Sequence, residues 1–135
     1  RYSGLTHYTA DGQPALAREM QAFKPQFIQI NYSLGAREAE DRVLPMAADQ
    51  GVAVIIDRPY QAGRLFRAVS GRELPDFAQE FAESWGKFIV SHPAVTCVIP
   101  ATSKPHHMID NLGAGFGTMP DAAMRKRMAD YFANL

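Results

Sequence analysis

Apolar positions along the chain fall into two alternating patterns: short strand-like runs, and longer stretches of helical period. Tyr2 to His7 is β-prone and ends in polar groups. Leu16, Met20 and Phe23, spaced four and three, predict an amphipathic helix with Asp11 placed to N-cap it. Phe27, Ile28, Ile30 and Tyr32 predict a second strand, with Gln29 and Asn31 interleaved. Arg37 to Gln50 reads as a helix carrying Val43, Leu44 and Ala47, and Gly51 follows where positive φ is tolerated. The unbroken apolar run Val52 to Ile56 fits a parallel strand covered on both faces. A Gly- and Arg-rich loop spans Arg58 to Arg72. Pro75 to Ser91 predicts a longer helix whose Phe77, Phe81, Trp85, Phe88 and Ile89 form a core-packing stripe. Val95 to Ile99 is the fourth predicted strand. Pro105 to Leu112 predicts a short helix that Gly113 stops. Thr118, with Asp121 three residues on, resembles a capping box opening a last helix along Met124, Met128 and Phe132.

The predicted order is β-α four times over, in one α/β domain spanning residues 1–135. Strands alternating with helices imply parallel pairing and right-handed crossovers. Two architectures satisfy that: an open doubly wound sheet, or four consecutive units of a (β/α)8 barrel. The first turn, "THYTADGQ", lacks the Gly-x-Gly-x-x-Gly of a dinucleotide fold, and "GAGFG" at Gly113–Gly117 follows a helix instead of a strand.

Composition narrows the function classes. The chain is 47% hydrophobic and 21% charged, with 14 basic and 14 acidic residues and no net charge. No global field would recruit nucleic acid or an anionic membrane. Nothing approaches the length of a transmembrane helix, and no signal-peptide pattern is present. The lone cysteine, Cys97, excludes an internal disulfide framework and points to a reducing, cytoplasmic setting. Its apolar strand predicts a buried, inert thiol.

In parallel α/β folds the chemistry gathers at the carboxyl ends of strands. Those ends deliver Thr6 and His7, then Gln29 and Asn31, then Asp57, Arg58 and Tyr60, and finally Thr102, Ser103 and Lys104 ahead of His106, His107 and Asn111. In the fourth set, Pro105 suits a first helical position, the free N–H groups of that turn favour an anion, and Lys104 adds a cation. His107 and Asn111 lie four apart, on one helix face. The set reads equally well as a phosphate cradle or as an ordinary capped surface helix. His106 and His107, being neighbours, are poorly spaced to chelate a metal. His92, before Pro93, reads as a helix terminator. Asp57 and Arg58 could form a simple ion pair.

Four segments, "GLTHYT", "FIQINYSLG", "VAVIIDRPYQAGRLF" and "VIPATSKPHHMIDNLGA", resemble in order the fifth to eighth barrel strands of the aldo/keto reductase family. The resemblance covers essentially the whole chain and implies half of a (β/α)8 barrel of parallel strands. It also implies a nicotinamide cofactor, NADP(H) more than NAD(H), lying across the strand ends, and a parent activity of NAD(P)H-dependent aldehyde or ketone reduction. By that resemblance Thr6, His7 and Gln29 would meet the nicotinamide carboxamide, with His7 replacing the usual asparagine. Asp57 stands where many members stack an aromatic ring. Arg58 takes a serine's place near the pyrophosphate, and Tyr60 and Gly63 belong to the loop that folds over the cofactor. Thr102, Ser103 and Lys104 would meet the 2′-phosphate and its ribose, His107 stands where an arginine often grips that phosphate, and Asn111 would bond the adenine.

The family's catalytic aspartate, tyrosine, lysine and histidine come from the first four barrel strands, which this chain does not contain. No catalytic residue is therefore assigned, and the chain alone is not expected to turn over a carbonyl. Two further readings share the same residues: a nucleotide- or phosphate-binding half-barrel without turnover, and a dimerising structural or regulatory module. A half-barrel exposes two strand edges and an open interior around residues such as Ile30 and Ile55. It needs an N-terminal half-barrel or a second copy to cover them. The opening residue, Arg1 in place of Met, fits a segment of a longer enzyme.

Overall fold

Four strands, β1 (Gly4–His7), β2 (Phe27–Asn31), β3 (Ala53–Asp57) and β4 (Cys97–Val98), pair in parallel and in chain order β1-β2-β3-β4. The computed structural model describes residues 1–81 and 85–135, and the side chains of all of these except residues 79–81. The helices are α1 (Gln13–Phe23), α2 (Val43–Gln50), α3 (Arg64–Val69), α4 (Asp76–Phe81), α5 (Gly86–Val90), α6 (Pro105–Gly113) and α7 (Ala122–Ala133).

The sheet's two faces separate the two candidate architectures. Leu5, Ile28 and Val54 share one register row, Ile30 and Ile56 the next. Ile28, Ile30, Val54 and Ile56 are each 0% exposed, in a core completed by residues of α1, α2, α5 and α7. The opposite row, Thr6, Gln29, Ile55 and Cys97, is half-buried or exposed. A doubly wound sheet carries helices on both faces and reverses its strand order at a switch point. Sequential order with one covered face is four βα units of a barrel, seen from an uncovered inside.

This arrangement corrects the reading of Val52 to Ile56 as a strand covered on both faces: burial alternates along it, as in a sheet with one sealed side. Ile30 keeps its full covering layer, because it faces the helices, whereas Ile55 faces the open side. Cys97 is exposed, because it shares the open row with Ile55 on an edge strand.

Element boundaries shift for local reasons. Asp11 lies inside a 3-10 turn (Ala10–Gly12), so α1 starts two residues later, with Gly12 as its N-cap and Pro14 in its first turn. Leu16 and Met20 are buried as predicted, but Phe23 is 68% exposed at the helix end. The predicted helix Arg37 to Gln50 divides into a 3-10 turn (Glu38–Glu40) and α2. Pro45 explains the break: inside a continuous helix its ring would strike the Asp41 carbonyl, while in a first turn its missing N–H is harmless. Gly51 ends α2 at φ +66°, the left-handed geometry expected there. The loop from Arg58 contains a 3-10 turn (Gln61–Gly63) and α3. The stripe on Pro75 to Ser91 buries Phe77, Trp85, Phe88 and Ile89, while Phe81's side chain lies outside the described residues. β4 is shorter than Val95 to Ile99, although the N–H groups of Thr96 and Ile99 still donate to Val54 and Ile56. Gly113 falls inside the last turn of α6. Helix α7 is capped by Asp121, whose Oδ1 accepts from Met124 N at 2.8 Å. Pro120 disfavours helical backbone at Met119, so Thr118 cannot open the helix.

Candidate functional site at the strand ends

The parallel register gathers a polar group at the carboxyl ends of β1, β2 and β3. Thr6 pairs with Gln29, and one pleat further Asn31 pairs with Asp57, all on the open face. Gln29 Nε2 donates to Asp57 Oδ2 at 3.2 Å. Gln13, from the first turn of α1, reaches over and donates from Nε2 to Asn31 Oδ1 at 3.3 Å. Gln13 is only 4% exposed, a burial unusual for its type. Two oxygens in this group, Asp57 Oδ1 and Gln13 Oε1, are buried without a hydrogen-bond partner among the described residues. Unpaired buried acceptors are costly, about 1–3 kcal/mol each, so the group has spare capacity for a donor.

His7 is separated from Thr6 by strand alternation. It pairs in register with Ile30, and a Cβ on Gly12 would overlap its ring. Its Nδ1 lies 3.2 Å from Thr9 O and 3.3 Å from Thr9 Oγ1. Thr9 Oγ1 donates in turn to Asp11, which holds the Asp11 carboxyl below its usual range. His7 thus remains at the mouth, facing the turn before α1 instead of the row of Thr6 and Gln29.

Asp57 and Arg58 make no ion pair among the described residues: Asp57 accepts from Gln29, and the Arg58 guanidinium lies over the Tyr8 ring at 4.6 Å. Arg58 (φ +47°), Gln61 (φ +49°), Ala62 (φ +53°) and Gly63 (φ +81°) all adopt left-handed backbone in one short loop. Only the glycine does so without strain. Tyr60 packs on Phe66 with ring centroids 5.0 Å apart, and burial pushes its hydroxyl above its ordinary pKa.

Beyond β4, Thr102 Oγ1 accepts from Lys104 N at 3.1 Å and lies 3.4 Å from His107 Nδ1. Lys104 is the extended N-cap of α6 and Pro105 its first residue. The expected turn exists, with Ser103, Lys104 and His107 exposed and Asn111 half-buried one turn along. His106 and His107 meet edge to face at 4.4 Å. Among the described residues no group of three or more His, Cys, Asp or Glu is placed to hold a metal. Two surface hollows lie away from the strand ends, one by Arg72, Tyr131 and Leu135, another by Arg37, His92 and Lys126.

A second polar cluster was not legible in the sequence. Tyr32 donates its hydroxyl to Glu40, and Arg125 Nη2 donates to Tyr32 Oη at 2.7 Å and to Glu40 Oε1 at 3.3 Å. Arg37 bonds Glu40 Oε2 at 2.7 Å. Arg125 Nη1 also donates to Phe88 O, and to Ser91 Oγ at 3.1 Å. Burial works to raise the Glu40 carboxyl, but the bonds from Arg37 and Tyr32 outweigh it and hold the group below its usual range. Burial drives the Tyr32 hydroxyl far up and the His92 imidazole down. His92 stands edge-on to Tyr32 at 5.7 Å and accepts from Ala94 N at 3.1 Å. Tyr32 and Arg125 are 93 residues apart in the chain, so no local signal announces their contact. The cluster ties α7 to the segment before α2.

No helix among the described residues is long and apolar enough to cross a membrane. The chain matches no protein-family model, and no curated protein matches it either.

Proposed function

We propose that this chain is the NADP(H)-binding C-terminal half of an aldo/keto reductase barrel, with a parent activity of NAD(P)H-dependent aldehyde or ketone reduction. The observation that carries the reading is the common mouth. Four parallel strands in sequential order deliver Thr6, Gln29, Asp57 and the turn from Thr102 to Asn111 to the same end of one sheet. The residues present fit the cofactor. The orphaned Asp57 Oδ1 suits an amide N–H of a carboxamide, and Gln29 is already oriented against the same carboxylate. Arg58 and the Tyr60–Gly63 turn suit a pyrophosphate, Arg58 as a cation held over Tyr8. Lys104, Ser103 and the first turn of α6 suit a 2′-phosphate, with His107 a weaker grip than an arginine, and Asn111 suits an adenine edge.

When bound, the cofactor supplies the hydride. This chain's residues bind and orient it, and none is assigned to protonate the product oxygen. Binding without turnover by the isolated chain is therefore expected. Titration of the chain with NADPH, read by cofactor fluorescence, tests the reading. Saturable binding that weakens about tenfold in Lys104→Ala, the loss of roughly one charge-assisted contact, is expected. No binding to the wild-type chain overturns it. Turnover of a simple aldehyde by the chain alone would contradict the absence of a general acid.

A further inference from the structure

The contact between Arg58 and Tyr8 spans the mouth from side to side. Tyr8 follows the last residue of β1 and Arg58 the last residue of β3, and β2 lies between those strands. Strands two apart in a sheet stand about 9–10 Å from each other. The Arg58 side chain crosses that gap, past the end of β2, and sets its guanidinium 4.6 Å from the Tyr8 ring centroid. The platform is itself braced. His7 stacks on Tyr8 with ring centroids 6.1 Å apart and planes at 19°, and its Nδ1 lies 3.2 Å from Thr9 O.

We infer that Tyr8 is a positioning residue of the mouth: its ring holds the Arg58 guanidinium across the end of β2, ready for an oxyanion of the pyrophosphate class. The contact leaves the cation's hydrogen-bonding edge unspent. A guanidinium carries its five N–H donors in its plane, and an aromatic ring engages only its face. Among the described residues Arg58 makes no side-chain hydrogen bond or ion pair, whereas Arg37, Arg125 and Arg127 spend their donors on carboxylates. A phosphate oxygen pair meeting that edge finds the parallel N–H groups that make arginine a bidentate partner. Arg58 also keeps left-handed backbone, φ +47°, which is strained for a residue with a Cβ, and such strain gathers where geometry serves a ligand. Without the ring, a free arginine side chain would have to be ordered at the moment of binding, which weakens affinity about two- to tenfold. The inference deepens the cofactor reading, which gives Arg58 to the pyrophosphate, and rests on it for the identity of the ligand.

Calorimetric titration of the chain with inorganic pyrophosphate and, separately, with NADPH tests it. Tyr8→Leu should bind each about two- to tenfold more weakly, and Tyr8→Phe, which keeps the ring, should recover most of that loss. In an Arg58→Gln background Tyr8→Leu should cost nothing further, a coupling that a merely structural tyrosine would not show. Tyr8 is 56% exposed, so circular dichroism should match wild type; Tyr8→Gln replaces Tyr8→Leu if that variant fails to fold. The pattern seen with NADPH upholds both the Tyr8 assignment and the cofactor reading. The same pattern with pyrophosphate, in a chain that does not bind NADPH, upholds the assignment and overturns the cofactor reading. NADPH binding that is unchanged in Tyr8→Leu leaves the cofactor reading standing and overturns the assignment. A Tyr8→Phe variant as weak as Tyr8→Leu, a Tyr8→Leu loss that persists without Arg58, or a wild type that binds neither ligand would also overturn it.

Discussion

The two faces of the sheet are built from alternate residues of the same strands, yet they do opposite work. On the covered face Ile28, Ile30, Val54 and Ile56 are sealed under helices. On the open face Gln29, Asn31 and Asp57 alternate with them; Gln29 bonds Asp57, Gln13 bonds Asn31, and Asp57 Oδ1 and Gln13 Oε1 are left unpaired. The covered face holds the fold, since each buried isoleucine contributes about 1.5–3 kcal/mol. The open face contributes little to stability and is free to hold a ligand. A one-residue slip in register would exchange the two roles, so the apolar alternation that secures the core also aims the polar groups.

The sharpest break of this comparison is a pair of neighbouring truncations. Ile56→Ala should cost about 2–5 kcal/mol, through lost burial and a cavity. Ile55→Ala, one residue away on the open face, should cost about 1 kcal/mol or less. Urea denaturation of both variants reads the difference, and equal losses would show that the open face is sealed as well.

Next in size is the clamp behind the covered face. Arg125→Ala removes one of the two guanidinium partners of Glu40, leaving Arg37, and removes the bonds to Tyr32 and Phe88. With Arg125 only 12% and Glu40 22% exposed, the loss should be about 2–3 kcal/mol, near the low end for a buried pair. It should leave NADPH affinity unchanged, because no clamp residue belongs to the mouth.

Acid should act through the same clamp. The His92 pKa is lowered by burial, so between its folded value and the ordinary value near 6.5 the unfolded chain binds the extra proton, and stability falls as pH drops through that window. The Glu40 pKa is also lowered, so its contribution is complete above the ordinary carboxylate value and is lost as pH falls through its folded value. Thermal midpoints should therefore decline from neutral pH downward, with the Glu40 part absent in Glu40→Gln. A midpoint flat from pH 7 to pH 4 would refute this assignment.

The smallest effect lies in the mouth loop. Ala62 at φ +53° carries strain that glycine would not, and Ala62→Gly should stabilise the chain by about 0.5–1 kcal/mol. A loss of stability on that change would mean that the left-handed turn is not retained in solution.

The amino-acid sequence by itself determined the four βα units, the second and third strands to within a residue (Phe27 to Tyr32 and Val52 to Ile56), the left-handed Gly51, and the polar residue types at each strand end. Periodicity and turn chemistry are local, and they survive reading in one dimension. Only the tertiary structure decided which architecture those units adopt, because one-sided helix packing is a property of the whole sheet. It decided that Cys97 is exposed and Ile30 sealed, since an apolar run does not say which of its residues face the helices. It separated His7 from Thr6 through strand alternation and brought Gln13 over Asn31 across 18 residues of sequence. The Tyr32–Glu40–Arg125 clamp likewise follows from contacts between distant segments, which no spacing within the chain can encode.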